Sequence, residues 1–445
     1  MLAHEDVTRF RRQPELLLRR LLQFDTTNPP GNEVECLTWV RDLLAGAGIE
    51  SRLYGREATR PSLVARVRGE GRARPLLLYG HVDVVTTAQQ TWTHDPFAGV
   101  IADGCIWGRG TLDMKGGAAM MLAALLRVQH EGTPLPGDVI LALVSDEERG
   151  GHLGAGYLTR EHPELFDGVR FALGELGGFS MWLGEHLTYP IMIAEKQACV
   201  IRATVRGNGG HASMPARGGT MARLARMLTA LDASRLPVHV GPAATQMITA
   251  VAGVLGEPGA SLLELLDPQS TDSVLDHLGE QGYLFDPLLH NTVNATIVRG
   301  GEATNVIPSA VMVDMDGRLI PGHSADDLID ELHALLGPDV ELEALRFDTY
   351  DTPAPDMGLF DTLSSILTQA DPAGAPIPLM LPAVTDARYF TPMGIQTYGF
   401  IPLRLPPSFD FVSMLHAADE RMPVDALHFG VNAMHQALLR FGEAR

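Results

Sequence analysis

Three apolar runs in this chain each end in side chains that can bind a metal ion. Leu76 to Gly80 leads into His81-Val82-Asp83, Val139 to Ser145 into Asp146-Glu147-Glu148, and Phe171 to Gly174 into Glu175. In open α/β sheets, ligands bind beyond the carboxyl ends of the strands. Groups from three such strands can therefore converge on one site. A neutral imidazole is a good zinc ligand, and in His81-x-Asp83 the carboxylate is placed to fix the second ring nitrogen as a donor. Alone, that tripeptide also reads as a surface turn. Glu147-Glu148 alone reads first as a solvated acidic loop. Beside a metal ion the pair takes on another meaning: one carboxylate binds the ion and the other accepts a proton from the water that the ion acidifies. No role follows for Asp146.

The segment Gly108-Arg109-Gly110-Thr111-Leu112-Asp113-Met114-Lys115-Gly116-Gly117 sets an acid among glycines at the start of a helix rich in small residues. Asp113 can be read as the N-cap of that helix. That reading leaves the glycines unexplained, whereas close approach of backbone to a ligand accounts for them. A carboxylate held there can bridge two cations.

The elements that must position these residues follow from the apolar patterning. Leu76-Leu77-Leu78-Tyr79, Val139 to Val144 and Phe171 to Leu173 do not alternate, as in strands covered on both faces. With a helix over Met114 to Val128, they indicate an α/β unit with a largely parallel sheet. The pattern changes near Lys196. Cys199, Ile201, Ala203 and Val205 alternate with polar residues, and a helix follows with Met221, Leu224, Leu228 and Leu231 on one face. Val293, Ala295 and Ile297 mark a second alternating strand, Val311, Val313 and Met315 a third, and Val340, Leu342 and Ala344 a fourth. Ser324 and Asp327 resemble a capping box opening a helix with Leu328, Leu332 and Leu335 inward. The order β-α-β-β-α-β, with an insertion over about 236–290, is a small α+β sandwich with one open sheet face. The expected domains are a catalytic one, 1–195 and 348–445, and an inserted one, 196–347.

At 445 residues, two domains are the first expectation. The formal net charge of −20 argues against nucleic acid and anionic membranes as partners. No apolar run is long enough to span a bilayer. Met1 to Arg20 has no apolar signal core and reads instead as a helix with Leu16, Leu17, Leu21 and Leu22 inward. Cys36, Cys105 and Cys199 have neither zinc-finger nor disulfide-framework spacing. A reducing cytoplasm fits these features. A Gly-x-Ser-x-Gly nucleophile elbow is absent, which disfavours a serine hydrolase.

The ordered set His81-Val82-Asp83, Gly-Thr-Leu-Asp113-Met-Lys-Gly-Gly, Asp-Glu147-Glu148-Arg-Gly-Gly and Glu175-Leu-Gly-Gly resembles the co-catalytic zinc hydrolases, the family of aminoacylase, carboxypeptidases G and S, acetylornithine deacetylase and succinyl-diaminopimelate desuccinylase. The resemblance implies a zinc-exopeptidase-like catalytic domain with an inserted lid and dimerisation domain. It implies two Zn2+ ions, with Co2+ or Mn2+ as alternatives, and makes Asp113 the bridge between them. His81 and Glu175 complete one site. Glu148 and His416, in Leu415-His416-Ala-Ala-Asp419-Glu420-Arg421, complete the other. Glu147 is the implied general base and Asp83 its orienting neighbour. His211, in Gly-Asn-Gly-Gly-His211-Ala-Ser, is implied to stabilise the oxyanion across a homodimer. Asn305, Arg318 and Arg388 are implied substrate contacts, although the Gly-Gly pair that relatives often carry before the Thr385-Asp386-Ala387-Arg388 segment is missing here. A glutamate at 175 goes with acylases and carboxypeptidases, so the implied substrate is an N-acyl amino acid or peptide cut next to a free carboxylate. Dipeptidase or deacylase activity is the alternative within the family, and a non-catalytic metal-binding dimeric scaffold the alternative outside it.

Overall fold

The structure, a computed structural model, describes residues 4–214, 217–347 and 354–444. The chain divides into two compact units, one of residues 1–193, 355–379 and 385–445, the other of 194–354 and 380–384. The return to the catalytic domain expected at 348 lies outside the described residues.

In the first unit a nine-stranded mixed sheet has a parallel centre. Val139–Val144, Leu76–His81, Phe171–Gly174 and Gln396–Gly399 lie side by side and all run the same way. The first two are buried along their whole length, which is why their sequences are continuously apolar. Ser62–Val67 and Ser51–Tyr54 extend one side antiparallel, and His186–Glu195 lies antiparallel on the other. Helix Lys115–Glu131 is buried from Lys115 to Leu126 and again at Val128. A helix covered on every side has no polar stripe to reveal its period. Helix Pro14–Leu22 buries Leu17, Leu18, Leu21 and Leu22; Leu18 takes the inward place expected for Leu16, which is only half-buried.

A small antiparallel sheet joins distant parts of the chain. Arg421–Pro423 pairs with Cys105–Trp107, which pairs with Val100–Ala102. The register sets Arg421 opposite Trp107 and so brings the His416 motif beside the Gly108–Asp113 segment.

The second unit is a four-stranded antiparallel sheet in the order Thr292–Arg299, Ala310–Leu319, Gln197–Arg206, Val340–Phe347. One face carries the core of Cys199, Ile201, Ala203, Val205, Val313 and Met315 beneath helices Thr220–Ala233 and Ala325–Leu336. The Ser324–Asp327 capping box is formed, with both reciprocal bonds in place. Two inward faces differ from the sequence reading. Met221 is half exposed in the first turn of its helix and Met227 takes the buried place. A register shift between Ala295 and Ile297 breaks the alternation of that strand and leaves Ile297 and Val298 exposed.

Candidate metal centre

The parallel strands deliver their metal-binding side chains at one edge. His81 ends its strand, Glu175 follows Gly174, and Val139–Val144 continues through Ser145 into a single 3-10 turn, Glu147–Arg149. Asp113 comes from the segment before the buried helix, and His416 from the loop before Arg421. His81 Nε2 lies 2.9 Å from Asp113 Oδ1 and 3.5 Å from Glu175 Oε2. His416 Nε2 lies 3.2 Å from Asp113 Oδ2 and 3.4 Å from Glu148 Oε2. The two oxygens of Asp113 thus belong to two separate three-residue groups.

These spacings fit metal ions. Zinc takes ligands at about 2.0–2.1 Å, so tetrahedral neighbours lie about 3.3 Å apart. Glu148 Oε1 is buried with no hydrogen-bond partner among the described residues, and such an atom is costly unless something else satisfies it. The charges agree. Hydrogen bonds to Asp113 and Glu148 push the His416 pKa up to about 10. Burial alone lowers the His81 pKa, but Asp113, Asp83 and Glu175 together hold it well above the ordinary range. Burial likewise raises Asp113, and its bonds to His416 and His81 outweigh that and bring it below the usual carboxylate range. The carboxylates demand positive charge at both imidazoles, a demand that two divalent ions meet.

Glu147 stands apart from both groups. Burial, reinforced by the neighbouring Glu175, raises its pKa well above the carboxylate range. Arg388 is a close cation, with Nη2 3.7 Å from Glu147 Oε1. Asp83 is fully buried, and its carboxylate has a part beyond the one expected beside His81. His81 Nδ1 is 2.9 Å from the Asp83 backbone carbonyl and 3.6 Å from the carboxylate. The carboxylate also accepts hydrogen bonds from the backbone N–H groups of Glu147 and Glu148, at 3.1 and 3.2 Å, and from Asn28 Nδ2 at 2.8 Å. It therefore orients the acidic pair as well as the histidine strand.

The glycines also have another reason. Helix Lys115–Glu131 begins after Asp113, and Asp113 does not cap it. A Cβ on Gly116 would stand 2.0 Å from the Thr111 carbonyl oxygen; this glycine lets the chain pack on itself, not on a ligand. Gly151, at φ +68°, would place a Cβ 2.4 Å from Asp386 Oδ1.

Sequence reasoning missed the residues that hold this arrangement in place. Glu420, fully buried, accepts from the N–H groups of Gly110 and Leu112, at 3.1 and 2.7 Å, and from Arg109 Nη1 at 2.6 Å. Arg109 Nη2 donates to the His416 carbonyl at 3.0 Å, and Gln90 Nε2 to the same carbonyl at 2.8 Å. His416 and Asp419 both sit at positive φ, +61° and +60°, a backbone shape that persists when surrounding bonds over-determine it. Asp146, assigned no role from the sequence, ties Arg60 at 3.1 Å and the Leu153 N–H at 3.1 Å. Its place at a strand end was the available signal. Nothing in a single sequence pairs Arg109 with Glu420.

The remaining expected site residues lie in the second unit. His211 is exposed, with Nδ1 2.7 Å from Ser213 Oγ, in a two-residue strand whose His211 pairs with Val306. The Asn305 carbonyl accepts from the Ala212 N–H at 3.0 Å. Arg318 spends its two-pronged face on Asp316, at 2.9 and 3.0 Å, so it forms a strand-end ion pair here instead of a free carboxylate grip.

A family model described as peptidase family M20/M25/M40 matches residues 77–440. The chain belongs to this family. As an M20 protein it is a metallopeptidase-type hydrolase of amide bonds. It is 29% identical over 387 residues to a probable carboxypeptidase S-like 2 of Dictyostelium discoideum, covering 82% of this chain and 71% of that one. It is 27% identical to aminoacylase-1 of Sus scrofa, covering 82% and 79%. The M20 metallo-carboxypeptidase Sso-CP2 of Sulfolobus solfataricus shares the fold, with a TM-score of 0.68 at 16% identity over 96% of this chain and 99% of that one.

Proposed function

We propose that this M20 hydrolase cuts an amide bond next to a free carboxylate, in an N-acyl amino acid or at the C-terminus of a peptide, using two Zn2+ ions held by His81, Asp113, Glu148, Glu175 and His416. The observation that carries this reading is Asp113, which addresses a different imidazole with each carboxylate oxygen. Co2+ or Mn2+ suits the same donor set, because affinity alone does not fix metal identity. When bound, the ions supply a Lewis acid for the scissile carbonyl and acidify the attacking water.

The chain's own side chains do the rest. Glu147 accepts the proton of the attacking water and returns it to the leaving nitrogen; its raised proton affinity suits a group that must do both. Asp83, through the amides of Glu147 and Glu148, sets the base and its neighbouring ligand as one piece. Arg388, nearly buried beside Glu147, is our first choice to dock the substrate carboxylate. Arg318 can do so only by exchanging Asp316. The exposed His211, with Asn305 beside it, is assigned to the oxyanion, contributed by a second copy in a homodimer formed through the second unit, which serves as lid. The names of the two relatives, carboxypeptidase S-like and aminoacylase, support this substrate class, with a cytoplasmic enzyme as the accompanying expectation. Dipeptidase or deacylase activity is the second reading.

The test is a hydrolysis screen of zinc-loaded protein on N-acyl amino acids, their amides and dipeptides, with Glu147→Ala as blank. Cleavage that requires the free carboxylate and vanishes in the blank is expected. Equal rates on free acids and their amides would overturn the substrate class.

A further inference from the structure

A second cluster of metal-binding groups lies within the second unit, made of residues that take no part in the centre described above. His239, His323 and Glu331 each bring one ligand atom to within 4.8 Å of the others. They come from three places in the fold: the segment after helix Thr220–Ala233, the turn before helix Ala325–Leu336, and that helix itself. His239 Nε2 is 2.6 Å from Glu331 Oε1, and the two imidazole rings lie 4.1 Å apart, tilted by 49°.

Hydrogen bonding accounts for only part of this arrangement. The ring nitrogens of His323 have no hydrogen-bond partner among the described residues. Glu331 is braced from behind. Asn291, 1% exposed, donates through Nδ2 to both Glu331 oxygens at 3.1 Å, and its Oδ1 accepts from the Ile320 N–H at 2.8 Å. One buried amide thus fixes the carboxylate and the start of the turn that carries His323. This is the outer-shell support that metal ligands commonly have.

We propose that His239, His323 and Glu331 bind a divalent transition-metal ion, Zn2+ by donor set, with solvent at the fourth position. Two imidazoles and a carboxylate form a borderline-soft N2O set that zinc favours. His239 and Glu331 need to part by about 0.7 Å to reach tetrahedral zinc spacing. His239 is 24% and Glu331 11% exposed on the side chain, which leaves an entry path. The ion clips the chain after the first helix to the turn and helix before the last strand, closing a long loop in the unit.

The test is metal content by mass spectrometry on the full chain after equilibrium dialysis against Zn2+. Wild type is compared with His323→Ala and Glu331→Gln, and turnover is measured on the same samples. One zinc equivalent fewer in each variant, with turnover retained, is the expected result. Crystals of the wild type grown in Zn2+ should show an anomalous difference peak between the three side chains. Equal metal content in wild type and variants, or no such peak, would overturn the proposal. Neither readout depends on the substrate or on the other metal centre being active.

Discussion

Glu147 and Glu148 are adjacent, identical in type and indistinguishable by any sequence rule, yet the fold gives them different neighbours. Glu148 faces His416, and Glu147 faces Arg388. Glu147→Gln should therefore keep its metal and lose turnover by about 10²–10⁴, the usual worth of a general acid–base group; metal content and kcat measured on one preparation check this. Parallel loss of metal would move Glu147 into the ligand set. Glu420→Gln should behave differently, because it leaves Arg109 charged and buried without its carboxylate. Breaking one partner of a buried pair costs about 3–5 kcal/mol, visible as a lower urea midpoint and weaker metal retention together. Among the candidate ligands, His81, Glu148 and Glu175 were legible because each follows an apolar run, Asp113 because it sits among glycines, and His416 only through the resemblance. Asp83 was only half legible: its importance could be read, but the backbone groups it holds could not, since amides carry no sequence signature.

Elements were easiest to read where burial is total or strictly alternating. Leu76–His81 and Gln197–Arg206 show the two extremes. The strand Thr292–Arg299 misled because a bulge reverses its facing halfway, and no residue type announces it. Lys196, one residue before Gln197–Arg206, has a consequence for pH. Desolvation lowers its pKa to about 7, while Nζ donates to the His290 carbonyl at 2.8 Å. The unfolded chain holds that proton up to its ordinary value near 10.5. The folded chain therefore gives up a proton between about pH 7 and 10.5, and stability falls as pH drops through that window. Lys196→Met should flatten this slope. The difference in urea midpoint between wild type and variant, measured at pH 7 and at pH 10, should shift in the variant's favour at the lower pH, and an identical difference at both would remove Lys196 as the cause.

At the scale of the whole molecule, the family and both architectures could be recognised, but assembly could not. His211 is exposed, and its ring is held by Ser213 within its own unit. If a second copy brings it to the oxyanion, His211→Ala should lose about 10²–10³ in rate. Mixing His211→Ala with the inactive Glu147→Gln should then restore activity through hybrid dimers. A mixture no more active than its parts, from proteins shown by light scattering to exchange subunits, would confine His211 to its own chain.

The two imidazoles of the metal centre differ in their access to water: the His81 side chain is 1% exposed and that of His416 51%. An ion held on the His416 flank would lie beside an exposed ligand, open to a chelator, whereas one on the His81 flank would have only little-exposed ligands. Depletion should therefore proceed in two kinetic phases, through a half-filled enzyme that retains the inner ion. Such a species would let one protein carry two different metals, the outer chosen by whatever the surroundings offer last.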